Sequence, residues 1–87
     1  IFHPILEVES ELKARLWAYN KLIGLKGIIK SYQHGRHNLY EIAEYLDVTE
    51  GFLRDALIAY RNKYGTYVKY GNFAIIFIPT LDVKIID

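Results

Sequence analysis

The sequence predicts a small α+β domain that is mostly helical. Four helices, including a helix-turn-helix, are followed by a C-terminal β-hairpin in a winged-helix-like arrangement. Two observations indicate this class. Apolar residues recur at helical spacing as far as Gly65. After Gly65 there are two runs of aromatic and β-branched residues, with a Gly-Asn pair between them. Because 52% of the 87 residues are hydrophobic, the chain can form one core, and we treat residues 1–87 as a single domain or a fragment of a larger protein.

The N-terminal part, residues 7–35, is predicted to form two helices. The first covers residues 7–23, because apolar residues recur there at intervals of three and four. Gly24 is expected to end it. The second helix covers residues 25–33 and precedes a polar loop.

The helix-turn-helix begins at Asn38. Asn38 and Glu41 have the spacing of a capping box, in which each side chain bonds the first turn of the helix. Thr49 is a second capping residue, with Glu50 in the first turn of the next helix. Between the two helices, Asp47 stands where a turn glycine is usual. Asp tolerates a left-handed backbone better than most residues, so we expect Asp47 to adopt that conformation.

The β-hairpin completes a C-terminal module that we place at residues 38–87. Gly71 and Asn72 predict a two-residue turn of type II′ between strands 67–70 and 73–78. A short third strand is expected within 81–86. Strand 73–78 contains no polar residue, so both of its faces need covering. This favours a partner, either a missing N-terminal domain or a second copy in a homodimer.

Charge and composition limit the classes of function. The formal net charge is +1, and residues 37–60 contain five acidic residues and one arginine. A DNA reader usually presents a basic surface, so nucleic acid is a disfavoured partner. If the helix-turn-helix did bind DNA, Thr49, Arg54 and Arg61 would be the contact residues. There is no cysteine and no apolar run long enough to span a membrane, so we expect a cytoplasmic protein without a membrane partner.

No catalytic residue is identified from the motifs. The two serines, Ser10 and Ser31, do not lie in a nucleophile elbow, and the glycines do not form a phosphate-binding loop. His34 and His37 could chelate a metal, but their spacing in a basic loop is more typical of surface histidines. The negative charges of the carboxylates at positions 7, 9 and 11 stabilise the N-terminal end of the first helix, where the helix dipole is positive.

The first helix also resembles a known pattern. Glu11, Ala14, the Trp17-Ala18 pair and the Leu22-Ile23 pair match the helix that follows the active site in zinc metallopeptidases of the ImmA/IrrE type, which are associated with phages and mobile elements. Residues 39–50 and the closing hairpin are similar to a C-terminal module found in part of that family. The resemblance covers about residues 7–86.

The resemblance implies a function. In such enzymes a His-Glu-x-x-His helix supplies two zinc ligands and a general base, and a glutamate from the next helix is the third ligand. Glu11 occupies the position of that glutamate, with Glu9 as the second choice. Arg15 departs from the pattern, since the family often has Asp or Asn at this position. This departure puts in doubt the hydrogen bonds that would hold the metal ligands in place.

The leading hypothesis is therefore a C-terminal fragment of a zinc-dependent peptidase of phage or prophage regulation, whose substrate is a repressor protein. The chain contains no His-Glu-x-x-His, so we expect it to be inactive alone and to bind no cofactor alone. The start at Ile1 rather than Met suggests a cut through a larger protein, and the resemblance implies that the catalytic helix lies upstream. Two alternatives stay open: a small winged-helix DNA-binding protein, and a non-catalytic interaction or dimerisation module.

Overall fold

The structure is a computed structural model that describes the backbone of residues 4–86 and the side chains of residues 13–86. Within this range the predicted α+β fold is confirmed, with the helices preceding a three-stranded sheet. The elements in chain order are α1 (Pro4–Leu22), α2 (Gly24–Gln33), α3 (Leu39–Leu46), α4 (Glu50–Tyr64), β1 (Tyr67–Tyr70), β2 (Phe73–Ile76) and β3 (Asp82–Ile85). None of the described helices is long and apolar enough to cross a membrane.

The helix-turn-helix forms through the predicted local signals. The backbone N–H of Glu41 donates to Asn38 Oδ1 at 2.8 Å, and Asn38 Nδ2 donates to Glu41 Oε1 at 3.0 Å. Glu41 Oε1 also accepts the His37 N–H at 3.5 Å. In a standard capping box the Glu side chain would accept the Asn38 backbone N–H, whereas here it accepts the Asn38 side chain and the His37 N–H. At the turn, Asp47 has φ 59° and ψ 45°, the left-handed conformation predicted for it.

The sheet is antiparallel in the order β1-β2-β3, so the predicted third strand is present and β2 lies in the centre. Gly71 has φ +62°, which agrees with the predicted turn between β1 and β2. β2 is shorter than predicted. Regular pairing ends at Ile76, after which the Phe77 N–H donates to the Thr66 carbonyl at 2.8 Å, and Pro79 has no N–H to donate.

One hydrophobic core lies between the helices and one face of the sheet. Ile75 of β2 is fully buried and packs in the same cluster as residues of all four helices. Gly27 lets α2 and α3 approach closely, since a Cβ there would lie 3.3 Å from a methyl carbon of Leu46. The buried cluster consists of Tyr19, Ile23, Ile28, Ile29, Ile42, Ala43, Leu53, Ala56, Tyr60, Ile75 and Phe77.

The outer face of the sheet is only partly covered by this chain. Ala74 lies opposite Lys69 of β1 and Lys84 of β3, and it is nevertheless buried. Lysine side chains can cover a small residue with their apolar stems while the ammonium groups stay in water. Tyr67 and Ile78 on the neighbouring segments are exposed. The expectation of a domain or a second copy against this strand remains a prediction.

Candidate functional site

The residues named for DNA contact do not form one site. The Thr49 hydroxyl caps α4, where Oγ1 accepts the Phe52 N–H at 3.0 Å. Arg54 and Arg61 lie seven residues apart on α4, and both are exposed. Seven residues are close to two helical turns, so the two arginines share one side of the helix. Arg54 also donates to Glu50 Oε2 at 3.3 Å, which places an acid beside the first guanidinium.

The two loop histidines are held by tyrosines. The ring of His34 stacks on Tyr45 with centroids 5.1 Å apart, and its Nδ1 lies 2.8 Å from the Lys30 carbonyl, to which it donates when protonated. His37 stacks on Tyr32 at 4.9 Å. These contacts fix the α2–α3 loop. Across the described part of the chain, no three His, Asp or Glu residues are grouped as metal ligands.

Glu11, the predicted zinc ligand, belongs to α1, but its side chain lies outside the described residues, as do those of Glu7 and Glu9. The side chains of α1 are described from Lys13 onward. Tyr19 and Ile23 are buried, whereas Trp17 is 64% exposed and Leu22 is 52% exposed. In this half of the helix one apolar face is buried in the core, and the other apolar side chains are largely exposed, with Leu22 at the edge of a groove that Val48 and Phe52 also line.

We define the α1 face as Ala14, Trp17, Ala18 and Leu22. Lys21 lies over the Trp17 ring at 5.1 Å, a cation–π contact of about 0.5 kcal/mol at an exposed site. Ala14 is exposed and Ala18 is half-buried. A surface of two alanines beside a large aromatic ring allows another helix to approach closely and bury the ring.

A second surface lies along α4. A cavity of about 400 Å³ separates α4 from the segment that joins β2 to β3. We call it the α4 trough. Arg54 and Arg61 stand at its rim, so the two arginines from the sequence prediction are brought together here. The lining residues are His37, Asn38, Leu39, Arg54, Leu57, Ile58, Arg61, Phe77, Thr80 and Leu81.

The Tyr60 hydroxyl is a buried polar group without a hydrogen-bond partner among the described residues. Burial raises the pKa of Tyr60 to about 12. The Gly24 backbone is close enough to oppose part of this rise in pKa, but it makes no hydrogen bond of acceptable geometry with the hydroxyl. Tyr60 is therefore neutral at physiological pH and carries an unsatisfied hydroxyl in the core.

This burial predicts that Tyr60→Phe equals or exceeds the wild type in stability at pH 7, by up to about 1 kcal/mol, since an unpaired buried hydroxyl is removed. Between pH 10 and 12 the unfolded tyrosine loses its proton while the folded one keeps it. The wild type should then lose up to about 1.4 kcal/mol per pH unit relative to the variant. Urea unfolding of both proteins at pH 7 and pH 11 measures this; a variant less stable by more than about 1 kcal/mol at pH 7 would show that the hydroxyl is bonded.

Two features were missed in the sequence. The exposure of Trp17 could have been inferred only from its angular distance from Tyr19 and Ile23 along the first helix. The trough needs Leu81, which lies 20 residues beyond Arg61, so no local pattern reveals it. No family model, curated protein or solved structure matches the chain.

Proposed function

We propose that the chain is the C-terminal part of a zinc-dependent peptidase of the ImmA/IrrE type, which acts in the cytoplasm on a repressor protein of a phage or mobile element. In this proposal the chain supplies one ligand, Glu11, and the C-terminal helix-turn-helix and sheet form a structural module. The described residues do not make a zinc site by themselves. The remaining ligands are assigned to a His-Glu-x-x-His helix upstream.

The α1 face is the observation that supports this proposal best. Residues at i, i+3, i+7 and i+11 share one side of a helix, so position 11 falls in line with Ala14, Ala18 and Leu22. Ala14 and Leu22 of that line are exposed, and Leu22 also borders the groove lined by Val48 and Phe52. In this proposal the upstream helix packs along that line, with the small residues Ala14 and Ala18 at the contact and position 11 at one end.

The energy of burial also favours a cover on this face. Trp17 and Leu22 are both more than half exposed. Burying a large apolar side chain contributes about 1.5–3 kcal/mol, so covering both would stabilise an interface by several kcal/mol. Covering Trp17 would displace or bury Lys21, whose ammonium lies over the ring.

The coding sequence upstream of Ile1 provides the first test. A His-Glu-x-x-His motif is expected within about 50 residues, since the two helices are neighbours in the proposed site. The whole protein should hydrolyse peptide bonds in a chelator-sensitive way, whereas the 87-residue chain should not. Absence of the motif would refute the proposal.

Trp17 provides a second readout that does not depend on activity, because it is the single tryptophan of the chain. We expect its fluorescence to move to shorter wavelength, and its quenching by acrylamide to fall, in the whole protein relative to the 87-residue chain. Any other tryptophan of the whole protein is replaced by Phe for this comparison. Equal emission and equal quenching would contradict the burial of the α1 face.

A winged-helix DNA-binding protein is the second candidate, favoured by the placement of Arg54 and Arg61 on one side of α4. Against it, Glu50 bonds Arg54, and Asp55 follows it on the exposed surface. Phosphate contacts would make such binding strongly salt-dependent. Undetectable binding to duplex DNA at low salt would exclude this candidate. The peptidase and the non-catalytic interaction module would then remain, and the presence or absence of the upstream His-Glu-x-x-His motif distinguishes them.

A further inference from the structure

The α4 trough combines an apolar floor with a basic rim. Leu57 and Leu81 are half-buried and Phe77 is buried, so the floor consists of hydrocarbon. Arg54 and Arg61 are exposed at the rim. Among its described lining residues there is no aspartate or glutamate. The trough therefore suits a ligand that joins an apolar group to negative charge.

The two guanidinium groups can still bind a ligand. Arg61 makes no ion pair within the described residues, and Arg54 uses one nitrogen, Nη2, for Glu50. A guanidinium carries five N–H donors, so most of those on Arg54 stay free. Arginine also binds carboxylates through two parallel hydrogen bonds, which fixes the orientation of the partner.

The walls of the trough are held by contacts outside it. The Tyr32 hydroxyl donates to the Leu81 carbonyl at 2.9 Å, which ties the β2–β3 segment to α2. On the opposite wall, Asn38 is fixed by its bonds to Glu41. Because these groups are positioned before any ligand arrives, binding need not order the trough, and less entropy is lost.

We propose that the α4 trough binds an extended peptide segment of another protein, in which one apolar side chain is flanked by carboxylates. The apolar side chain fills the space between Leu57, Phe77 and Leu81. The carboxylates pair with Arg54 and Arg61. This proposal rests on the trough alone and does not depend on the peptidase.

Charge and shape favour a peptide over a nucleic acid. A phosphate backbone gains nothing from a hydrocarbon floor, whereas an apolar side chain of a peptide would be buried against Leu57, Phe77 and Leu81. A small free carboxylate is also a poor match, since many of the lining residues are exposed and the trough covers only one side of a ligand.

The test uses the 87-residue chain and a set of capped heptapeptides whose three central residues are Asp, a varied apolar residue and Asp. Amide NMR shifts are followed during titration. We expect at least one peptide to shift the signals of Arg54, Arg61 and Leu81, and the same peptide with Lys in place of both Asp to shift none. If no acidic peptide shifts them, or if the Lys peptide binds equally well, the proposal is wrong.

Variants locate the contact. The double variant Arg54→Gln with Arg61→Gln should weaken peptide binding by about tenfold or more, since two charge-assisted pairs are lost. The control Lys26→Gln with Arg36→Gln removes the same charge from exposed positions outside the trough, and it should leave binding within about twofold. An equal loss in both double variants would indicate nonspecific attraction and overturn the proposal. Tighter binding of duplex DNA than of any peptide, abolished by the same arginine variant, would assign the trough to nucleic acid instead.

Discussion

Replacing Leu53 with Ala is expected to destabilise the chain by about 2–5 kcal/mol, the usual cost of removing a large aliphatic side chain from a well-packed core. Leu53 is fully buried in α4, in one cluster with Ile42 of α3 and Ile75 of β2. The cavity left by the substitution would thus be lined by the helix-turn-helix and the sheet together. The free energy of unfolding of a native protein is about 5–15 kcal/mol, so Leu53→Ala removes a large part of it. Urea unfolding should show this as a clear fall in the midpoint concentration.

Ile58→Ala is the matched control, because it removes a side chain of similar size from the same helix. Ile58 is 44% exposed, and we expect a cost below about 1 kcal/mol. A Leu53→Ala variant no less stable than Ile58→Ala would contradict the burial of Leu53 in the core.

The helix-turn-helix could be predicted from sequence because its signals are local. Asn38 and Thr49 cap the helices that follow them, and each bonds the N–H three residues ahead. Asp47 takes the left-handed conformation that ends α3. Such contacts lie within a few residues of one another, so spacing alone defines them.

The sheet could be predicted in part. Gly71 and the β-branched runs fix the β1–β2 turn, and the third strand was expected within 81–86. The role of β2 was less accessible to sequence reasoning. Its apolar character indicated cover on both faces, but the sequence did not show that Lys69 and Lys84 would flank Ala74 from both neighbouring strands.

The candidate surfaces depend on tertiary structure. Arg54 and Arg61 were identified by their position on α4, but the trough also needs Leu81, whose carbonyl accepts the Tyr32 hydroxyl of α2. The exposure of Trp17 depends on which side of α1 packs on α2 and α4. The helical angle between Trp17 and the buried Tyr19 and Ile23 is the one sequence signal for this exposure, whereas the trough joins residues too far apart for any local pattern.

Glu11→Gln in the whole protein is expected to lower zinc affinity by more than about 100-fold, because removing a ligand should cost more than removing its hydrogen-bond support. An amide has the shape of the carboxylate but lacks its charge. Glu9→Gln is the matched control: residues two apart on a helix point in different directions, so this variant should retain the metal.

The zinc content of the purified whole protein, compared among the wild type, Glu11→Gln and Glu9→Gln, therefore tests the central claim most directly. Mass spectrometry of the metal after dialysis against a weak chelator measures it. We expect about one zinc per chain in the wild type and in Glu9→Gln, and almost none in Glu11→Gln. A wild-type protein without zinc would contradict the proposed role of α1, and a Glu11→Gln variant that retains zinc fully would contradict the assignment of the ligand to Glu11.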